Sequence, residues 1–204
     1  WQRALPAMAA GSGPSLLLAK IDQYLLMVER GVLEPYPEDL FPHDWVQENY
    51  PTTDWDGLMY QDQYYVFPGG VMGDLLMYNR DHFVEAGLDP DNPPRTWDEL
   101  IAAAQKLTKR DAAGNIIQAG FVPGEQFTLL TYIYQLGGNI FETAADGSRV
   151  ATMTSPEVVE ALRFVTDCYT KYEVTTPGYL IFDEALGTGR ASMVIGESYI
   201  IGEL

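Results

Sequence analysis

The chain has 204 residues, of which 12 are basic and 29 are acidic, so its formal net charge at neutral pH is −17. No basic cluster is present, which excludes nucleic acid and anionic membrane surfaces as natural partners. We interpret the acidity as a solvated surface, with a cationic ligand as the alternative. Hydrophobic residues form 47% of the chain, enough for one large domain or two small ones and too much for a disordered chain.

The single cysteine, Cys168, excludes an internal disulfide framework. It lies on the apolar side of a predicted helix, which predicts a buried and unreactive thiol. No apolar run reaches membrane-spanning length, and the N-terminal stretch lacks the apolar core of a secretory signal. The sequence therefore favours a soluble chain, from which a targeting segment could have been removed.

The first third of the chain alternates short apolar runs with helical periodicity. Residues 1–10 resemble the end of a helix, and Ser15–Ala19 is a short apolar run typical of a buried strand. Asp22–Arg30 and Asp44–Asn49 are predicted helices. Tyr64–Phe67 is predicted to be a strand that ends at Pro68.

A proline-rich corner at Gly87–Arg95 precedes the clearest helix signal in the sequence. Its prolines fix φ and lack an amide donor, so this segment is neither helix interior nor central strand. Thr96 and Glu99 have the spacing of a capping box, in which the glutamate reaches back to the cap residue's own N–H. The helix that follows carries its apolar stripe on Trp97, Leu100, Ile101, Ala104 and Leu107.

A second capping box is predicted at Thr154 to Glu157, with Pro156 in the first turn of the helix. The apolar face of this helix is predicted to consist of Val158, Val159, Leu162, Val165 and Tyr169.

The remaining elements also alternate between strand and helix. The predicted strands are Leu75–Tyr78, Ile116–Val122, Ser148–Met153 and Ala191–Ile195, and the predicted helices are Asp81–Glu85, Gln126–Leu136 and Asp183–Leu186. Glycines and prolines fall at the joints between them. This pattern predicts an α/β protein with mostly parallel sheets.

Several short motifs are better explained by structure than by chemistry. The glycine-rich stretches GSGPS and GTGRAS have neither a Walker lysine nor a full dinucleotide fingerprint. His43 and His82 match no metal-ligand spacing, and Ser198 is not flanked as a G-x-S-x-G nucleophile requires. Carboxylates are so abundant that a glycosidase-type pair could always be drawn, which leaves a carbohydrate-active enzyme as a weak alternative.

Aromatic residues carry more information, because several stand beside glycines or acids in predicted loops. These residues are Trp45, Tyr50, Trp55, Tyr60 and Tyr199. They could line a polar pocket for a sugar or a cation, or they could cover the edges of the core. The sequence leaves both interpretations open.

Four segments in a fixed order carry a family resemblance: YNRDHFVEAGLDPDNPPRTWDEL, QLGGNIF, SPEVVEALRFVTDCYTKY and EALGTGRASMVIGESYIIGEL. With the upstream GSGPSLLLAKIDQYLLMVERGVLEP, they resemble the maltose-binding-type extracellular solute-binding proteins of ABC importers. The resemblance covers nearly the whole chain. It implies a type II periplasmic-binding-protein fold, in which two α/β lobes joined by a hinge close on a ligand without catalysis or a cofactor.

The resemblance also implies a division of the chain. Residues 1–69 would form part of lobe I, residues 70–73 the hinge crossing, and residues 74–204 most of lobe II. Three glycines of FPGGVMG, Gly69, Gly70 and Gly73, could absorb the backbone rotation of a hinge.

Ligand-binding residues follow from the same resemblance. Asp22 corresponds to the first-lobe acid that hydrogen-bonds sugar hydroxyls, and Tyr199 corresponds to an aromatic that stacks on a sugar ring. Glu125 and Phe127 correspond to a polar and aromatic pair that faces the cleft. Ligand contacts in open α/β sheets lie on loops at the strand ends.

Met72 and Asp74 flank the hinge crossing, where family members present a further polar contact. The chain departs from the maltose-binding pattern here, since Met72 occupies the position of a sugar-binding glutamate and Ala19 that of a cleft tryptophan. GESY also replaces the family's G-P-W. The ligand class is therefore expected to be a sugar, although not maltose itself, with a polyamine or a glycerol-phosphate-type solute as alternatives.

The resemblance also sets expectations for partners, location and extent. The protein is expected to act in the periplasm or outside the cell, with or without a lipid anchor, and to deliver its solute to an ABC permease as a monomer. Because the family's opening strand and C-terminal half have no counterpart in the 204 residues, the chain is expected to be a fragment.

Overall fold

The computed structural model describes residues 4–19, 21–50, 58–67, 73–124, 128–180 and 182–202. The chain forms two compact units: unit 1 is Trp1–Val71 and unit 2 is Met72–Leu204. Short strands are interspersed with helices in unit 2, whereas helices precede a single hairpin in the described part of unit 1, so the fold is α/β. Within the described ranges, no helix is long and apolar enough to cross a membrane.

The described part of unit 1 contains three helices and a small hairpin. The helices are α1 (Ala4–Ala9), α2 (Ile21–Glu29) and α3 (His43–Asn49), and the hairpin pairs β1 (Met59–Tyr60) with β2 (Gln63–Tyr64). Its two loop residues, Gln61 and Asp62, both have positive φ, as the tightest hairpin turn requires.

The core of unit 1 is small and aromatic. Its buried members are Tyr24, Val28, Tyr36, Val46, Leu58 and Tyr64. The Tyr36 ring stacks on Tyr64, with 5.9 Å between ring centroids, and on Phe67, with 4.7 Å. Its hydroxyl bonds to Nδ1 of His43, whose Nε2 pairs with Glu38. In this core the aromatic ring faces thus pack against one another, while the polar atoms of the side chains form hydrogen bonds and an ion pair.

Unit 2 is built on a sheet of β3 (Asp74–Tyr78) and β8 (Met193–Glu197), which pair antiparallel. Residues 119–122 run parallel to β8 through bridges at Ala119 and Val122. Two further antiparallel hairpins are β4 (Lys109–Arg110) with β5 (Ile116–Gln118), and β6 (Phe141–Thr143) with β7 (Arg149–Ala151). The four described ladders are thus antiparallel, and among the described residues parallel pairing is confined to the two bridges. The prediction of mostly parallel sheets is therefore wrong for the described strands, because three of the four ladders join neighbouring strands through short hairpin turns.

The helices of unit 2 are α4 (Arg80–Glu85), α5 (Trp97–Leu107), α6 (Thr128–Gln135), α7 (Pro156–Thr170) and α8 (Phe182–Gly187). Its larger core cluster includes Phe83, Leu107, Phe121, Tyr132, Val158 and Phe164. A smaller cluster joins Met77, Val122 and Val194 to Ala185 of α8. Apolar residues are buried in both clusters, which is the dominant favourable contribution to folding.

The capping box of α5 differs from the prediction in one bond. Thr96 Oγ1 accepts from the Glu99 amide at 3.2 Å, as predicted. Glu99 Oε2 accepts from the amide of Arg95 at 2.8 Å and not from that of Thr96. In α7 the cap is Ser155, which accepts from the Val158 amide at 3.3 Å, so the prediction of Thr154 is wrong by one residue. Pro156 occupies the first helical position and fixes the cap on the residue before it.

Two predicted strands are wrong. Ser15–Ala19 is not a strand, and Leu16 and Leu18 are 89% and 93% exposed. A strand needs a hydrogen-bonded neighbour, and no described strand pairs with this run. In the predicted strand at Tyr64–Phe67, only Tyr64 is in a strand, because the three residues after it pack on the core of unit 1 outside any ladder.

The predicted apolar face of α7 is also wrong in part. The buried residues are Val158, Ala161, Phe164 and Cys168, whereas Val159 and Leu162 are about half exposed. Phe164 stacks on Trp97 of α5 with centroids 4.2 Å apart, and this contact fits the observed rotation of the helix. Cys168 is fully buried, which confirms its prediction.

The other predicted elements agree with the structure apart from their ends. The predicted strand at 116–122 is the three-residue β5 followed by the two parallel bridges, and the strand predicted at 191–195 is shifted to Met193–Glu197. The helix predicted at 126–136 is described from Thr128 to Gln135.

Candidate functional site

Three segments of unit 2 meet at one edge of its sheet. Asp74 begins β3 and pairs with Glu197 at the end of β8, and beyond that pair the Ser198 amide donates to the carbonyl of Gly73 at 3.0 Å. Residues 119–122 run in the direction of β8, so Pro123 and Gly124 leave the sheet at the same edge. This edge therefore places Asp74, Tyr199 and the start of the 123–124 loop together.

Asp74 lies on the side of the sheet that faces α6. It is half-buried, and the Thr131 hydroxyl of α6 donates to its Oδ2. The other carboxylate oxygen makes no hydrogen bond with the described residues, so it can accept one from a ligand.

The next residue of α6, Tyr132, fixes the loop at the same edge. Its hydroxyl is buried and donates to the Pro123 carbonyl at 2.7 Å. Burial raises the pKa of Tyr132 well above its ordinary value, and the nearby Cys168 and Asp74 add to this. Consecutive residues of one helix thus hold both the acid and the loop.

The loop after Pro123 requires glycine at Gly124. Its φ is +88°, and a Cβ atom there would come within 2.3 Å of Thr128 Oγ1. The backbone therefore passes unusually close to the start of α6 before it reaches Glu125 and Phe127.

Tyr199 lies in a short 3₁₀ turn, Ser198–Gly202, directly after β8, and the residue is 46% exposed. Gly73 is also exposed, has no positive φ, and a Cβ atom there would meet nothing within 4 Å. Asp74, Tyr199 and Gly73 are thus the sequence-predicted site residues that the structure brings to one edge.

The other predicted residues are only partly described. Asp22 is the second residue of α2, but its side chain lies outside the described part of the chain. Met72, Glu125, Phe127, Gly69 and Gly70 also lie outside the described residues.

The loop aromatics of unit 1 divide between surface and core. Trp45 is 45% exposed, while Tyr50 and Tyr60 pack against the buried cluster of unit 1. Trp55 lies outside the described residues. Tyr50 and Tyr60 therefore cover the edge of the core with at least part of each ring, as one of the two interpretations predicts.

Sequence reasoning missed Thr131, Tyr132 and Gly124 as supports of this edge. Nothing in a helix sequence such as TLLTYIYQ indicates which threonine meets an acid 57 residues away. In unit 1, sequence reasoning also missed Gln23, which follows Asp22 in α2. The buried Oε1 of Gln23 has no hydrogen-bond partner among the described residues.

Metal binding and thiol chemistry find no support in the described residues. No group of three or more His, Cys, Asp or Glu side chains in these ranges is arranged to hold a metal ion. Burial raises the pKa of the Cys168 thiol to about 12, so the thiolate that would react is not formed at neutral pH.

The comparisons with known proteins agree with this architecture. Residues 2–199 match the model of the family described as bacterial extracellular solute-binding protein. The chain belongs to this family. The type II periplasmic-binding-protein fold expected from the resemblance is confirmed by the solved structures that the chain resembles.

One such structure is an ABC transporter solute-binding protein from Thermotoga lettingae, bound with α-D-tagatose. Its TM-score is 0.77 and its sequence identity 32%, over 98% of this chain and 52% of the other.

Two curated relatives match shorter parts of the chain. A probable amino-acid ABC transporter periplasmic-binding protein of Sinorhizobium fredii is 30% identical over 128 residues, which is 59% of this chain and 28% of that protein. An sn-glycerol-3-phosphate-binding periplasmic protein of Agrobacterium fabrum is 43% identical over 67 residues, which is 33% of this chain and 14% of that protein. The chain thus spans about half the length of the solved structure and less of the curated relatives.

Proposed function

We propose that the protein is the solute-binding component of an ABC importer and that it captures a polar solute, a sugar, without chemical conversion. The single observation that carries this proposal is the family match over residues 2–199. The structurally similar protein that is bound with α-D-tagatose supports a sugar as the solute class.

The proposed site follows the expectations for the two lobes. Asp22 of unit 1 and Asp74 of unit 2 would accept hydrogen bonds from solute hydroxyls, together with Glu125. The exposed ring of Tyr199 would cover the C–H face of a sugar ring, with Phe127 and Met72 completing the apolar contacts.

The proposed domain roles are unchanged: residues 1–69 belong to lobe I, 70–73 to the hinge crossing and 74–204 to lobe II. The division of the chain between Val71 and Met72 supports this assignment. A solute that contacts both lobes would shift the population toward the closed state, which the permease would recognise. We further propose that the protein works in the periplasm or at the cell surface as a monomer.

A glycerol-phosphate-type solute is the second candidate. The specific observation in its favour is the 43% identity over 67 residues to an sn-glycerol-3-phosphate-binding protein. Asp74 opposes this candidate, because its carboxylate would repel a phosphate group at short range.

The test is a calorimetric and thermal-shift titration of the purified protein with α-D-tagatose, maltose, glycerol 3-phosphate and spermidine. A solute present at about 100 times its Kd should stabilise the native state by about 2.7 kcal/mol. We expect a sugar to do so and chromatography to detect no product from it. Stabilisation by spermidine alone, or release of product, would contradict the proposal.

Two variants test the site residues in unit 2. Asp74→Asn removes a charged acceptor and is expected to weaken sugar binding by about tenfold or more, and Tyr199→Ala should weaken it by removing ring contact. Glu142→Gln is the matched control, since Glu142 is exposed on β6 and its side chain has no partner among the described residues. Equal binding by Asp74→Asn and Glu142→Gln would remove Asp74 from the site.

A further inference from the structure

A second polar groove lies in unit 2, at the sheet edge opposite Asp74. Arg190 precedes β8 and Ile116 begins β5, so both lie where the strands enter the sheet. Between them is a cavity of about 490 Å³, bordered also by the C-terminal end of α7 and the loop at 173–179. We call this cavity the Arg190 groove.

Three hydrogen-bond donors that line the Arg190 groove have no partner among the described residues. The Arg190 guanidinium lies over the Tyr179 ring, 5.5 Å from its centroid, and makes no ion pair or hydrogen bond there. The hydroxyl of Thr175 is buried without a partner, and the residue is 2% exposed. Buried polar groups are normally hydrogen-bonded, so an unpartnered one needs an explanation.

Tyr169 is the third donor. It lies near the end of α7, is half-buried, and its hydroxyl makes no hydrogen bond with the described residues. Burial raises the pKa of Tyr169, so the hydroxyl keeps its proton and can donate at neutral pH.

The walls of the groove are held by bonds that do not use these donors. Arg110 donates to the Gly114 carbonyl at 2.9 Å and to the Glu173 carbonyl at 2.8 Å, which joins the β4–β5 turn to the 173–179 loop. The Tyr179 hydroxyl donates to the Arg190 carbonyl at 2.9 Å. The loop is therefore positioned before any ligand arrives, which lowers the entropic cost of binding.

Basic side chains outnumber acidic ones in the lining of the groove, which contains Arg110 and Arg190 but one acid. Glu173 is the acid in the lining, and its Oε2 lies 3.5 Å from Arg110 Nη2. Arg190 is left as a charge without a counterion in the described structure, although the whole chain carries −17. A guanidinium with free N–H groups is well suited to a carboxylate or phosphate, because it can donate two parallel bonds.

We propose that the Arg190 groove binds a small molecule through a carboxylate or phosphate group. The oxyanion would accept from Arg190 and Tyr169, with the Thr175 hydroxyl turning toward the ligand. The cavity has the size of a small-molecule site and exceeds that of a bare ion. This site is separate from the Asp74 edge and does not depend on the proposed solute-binding function.

The test uses inorganic phosphate and succinate as separate probes, titrated into the protein at constant ionic strength set with NaCl. We expect saturable amide shifts in ¹H–¹⁵N spectra at Asn115, Thr175 and Thr176 with at least one probe. Response to phosphate alone or to succinate alone distinguishes the two ligand classes. No saturable shift with either probe would overturn the proposal.

Variants separate a built site from a general charge effect. Arg190→Gln is expected to weaken binding by about tenfold or more, and Thr175→Val by a smaller factor without loss of folding, because the hydroxyl makes no internal bond. Arg149→Gln is the matched control, since Arg149 is exposed on β7 and its side chain has no partner among the described residues. Equal losses in Arg190→Gln and Arg149→Gln would contradict the site, and unchanged sugar binding by Arg190→Gln would keep the two proposals distinct.

Discussion

The two units of this chain reach a folded core by different means. Unit 2 buries a large, mainly apolar cluster, and its helices α4, α5 and α7 begin with the side-chain caps Asn79, Thr96 and Ser155. The described core cluster of unit 1 has six buried members, three of which are tyrosines, and α3 begins after Pro42 without a side-chain cap. A buried tyrosine usually needs a hydrogen-bond partner for its hydroxyl, so unit 1 depends more on polar bonds at the edge of its core.

The comparison predicts that unit 2 is most sensitive where its backbones approach closely. Gly120 donates its amide to the Val174 carbonyl, and a Cβ atom on Gly120 would come within 1.9 Å of the Ala104 carbonyl oxygen of α5. Gly120→Ala should therefore destabilise the protein by about 3 kcal/mol or more, measured by urea denaturation. Gly202→Ala is the control, because its Cβ atom would meet nothing within 4 Å. Similar midpoints for the two variants would show that this close packing is not limiting.

Unit 1 should instead respond to loss of a single hydroxyl. Tyr36 is buried and its hydroxyl bonds to Nδ1 of the partly buried His43, so Tyr36→Phe leaves this nitrogen without its partner. We expect a loss of about 1–2 kcal/mol in the free energy of unfolding. Tyr60→Phe is the matched control, since the Tyr60 hydroxyl has no hydrogen bond with the described residues and its ring packs on the same core. If both variants kept wild-type stability, the polar edge of this core would be unimportant.

The smallest expected effect concerns the histidine of unit 2. His82 Nδ1 lies 3.0 Å from Ser192 Oγ, and this oxygen also accepts a hydrogen bond from Gln118 Nε2. Burial lowers the pKa of His82 below its ordinary 6.5, and Lys109 adds to this while Glu85 and Asp81 oppose it. The unfolded chain therefore binds the proton more readily, and stability falls as pH decreases through 6.5.

Thermal unfolding at pH 7.5 and 5.5 measures this contribution. We expect the midpoint of the wild type to fall by on the order of 2 °C more than that of His82→Gln. An equal decrease in both proteins would assign the pH dependence to other groups.

Local sequence signals identified most of the helices of unit 2. Thr96 and Pro156 each marked a helix start, because a cap bond and a fixed φ act within a few residues. The apolar stripe of α5 also agreed with its buried face, which includes Leu100, Ala104 and Leu107. The order of motifs further determined the family, and the model match over residues 2–199 confirms it.

Part of the candidate site could also be predicted from the sequence. Asp74 and Tyr199 were assigned by position within the family pattern, and both lie at the same sheet edge. Thr131 could not be found this way, because its bond to Asp74 joins positions 57 residues apart. The Arg190 groove was missed for the same reason, since its lining comes from four separate segments.

What the sequence determined by itself was local: helix starts, turn positions, a buried Cys168 and the family pattern. Tertiary structure alone decided which side of an element is buried, because that depends on neighbours distant in sequence. Val159 and Leu162 are apolar yet exposed, since the packing of α7 turns Phe164 toward Trp97. Leu16 and Leu18 are exposed for a related reason, because strand formation depends on a partner and not on apolarity alone.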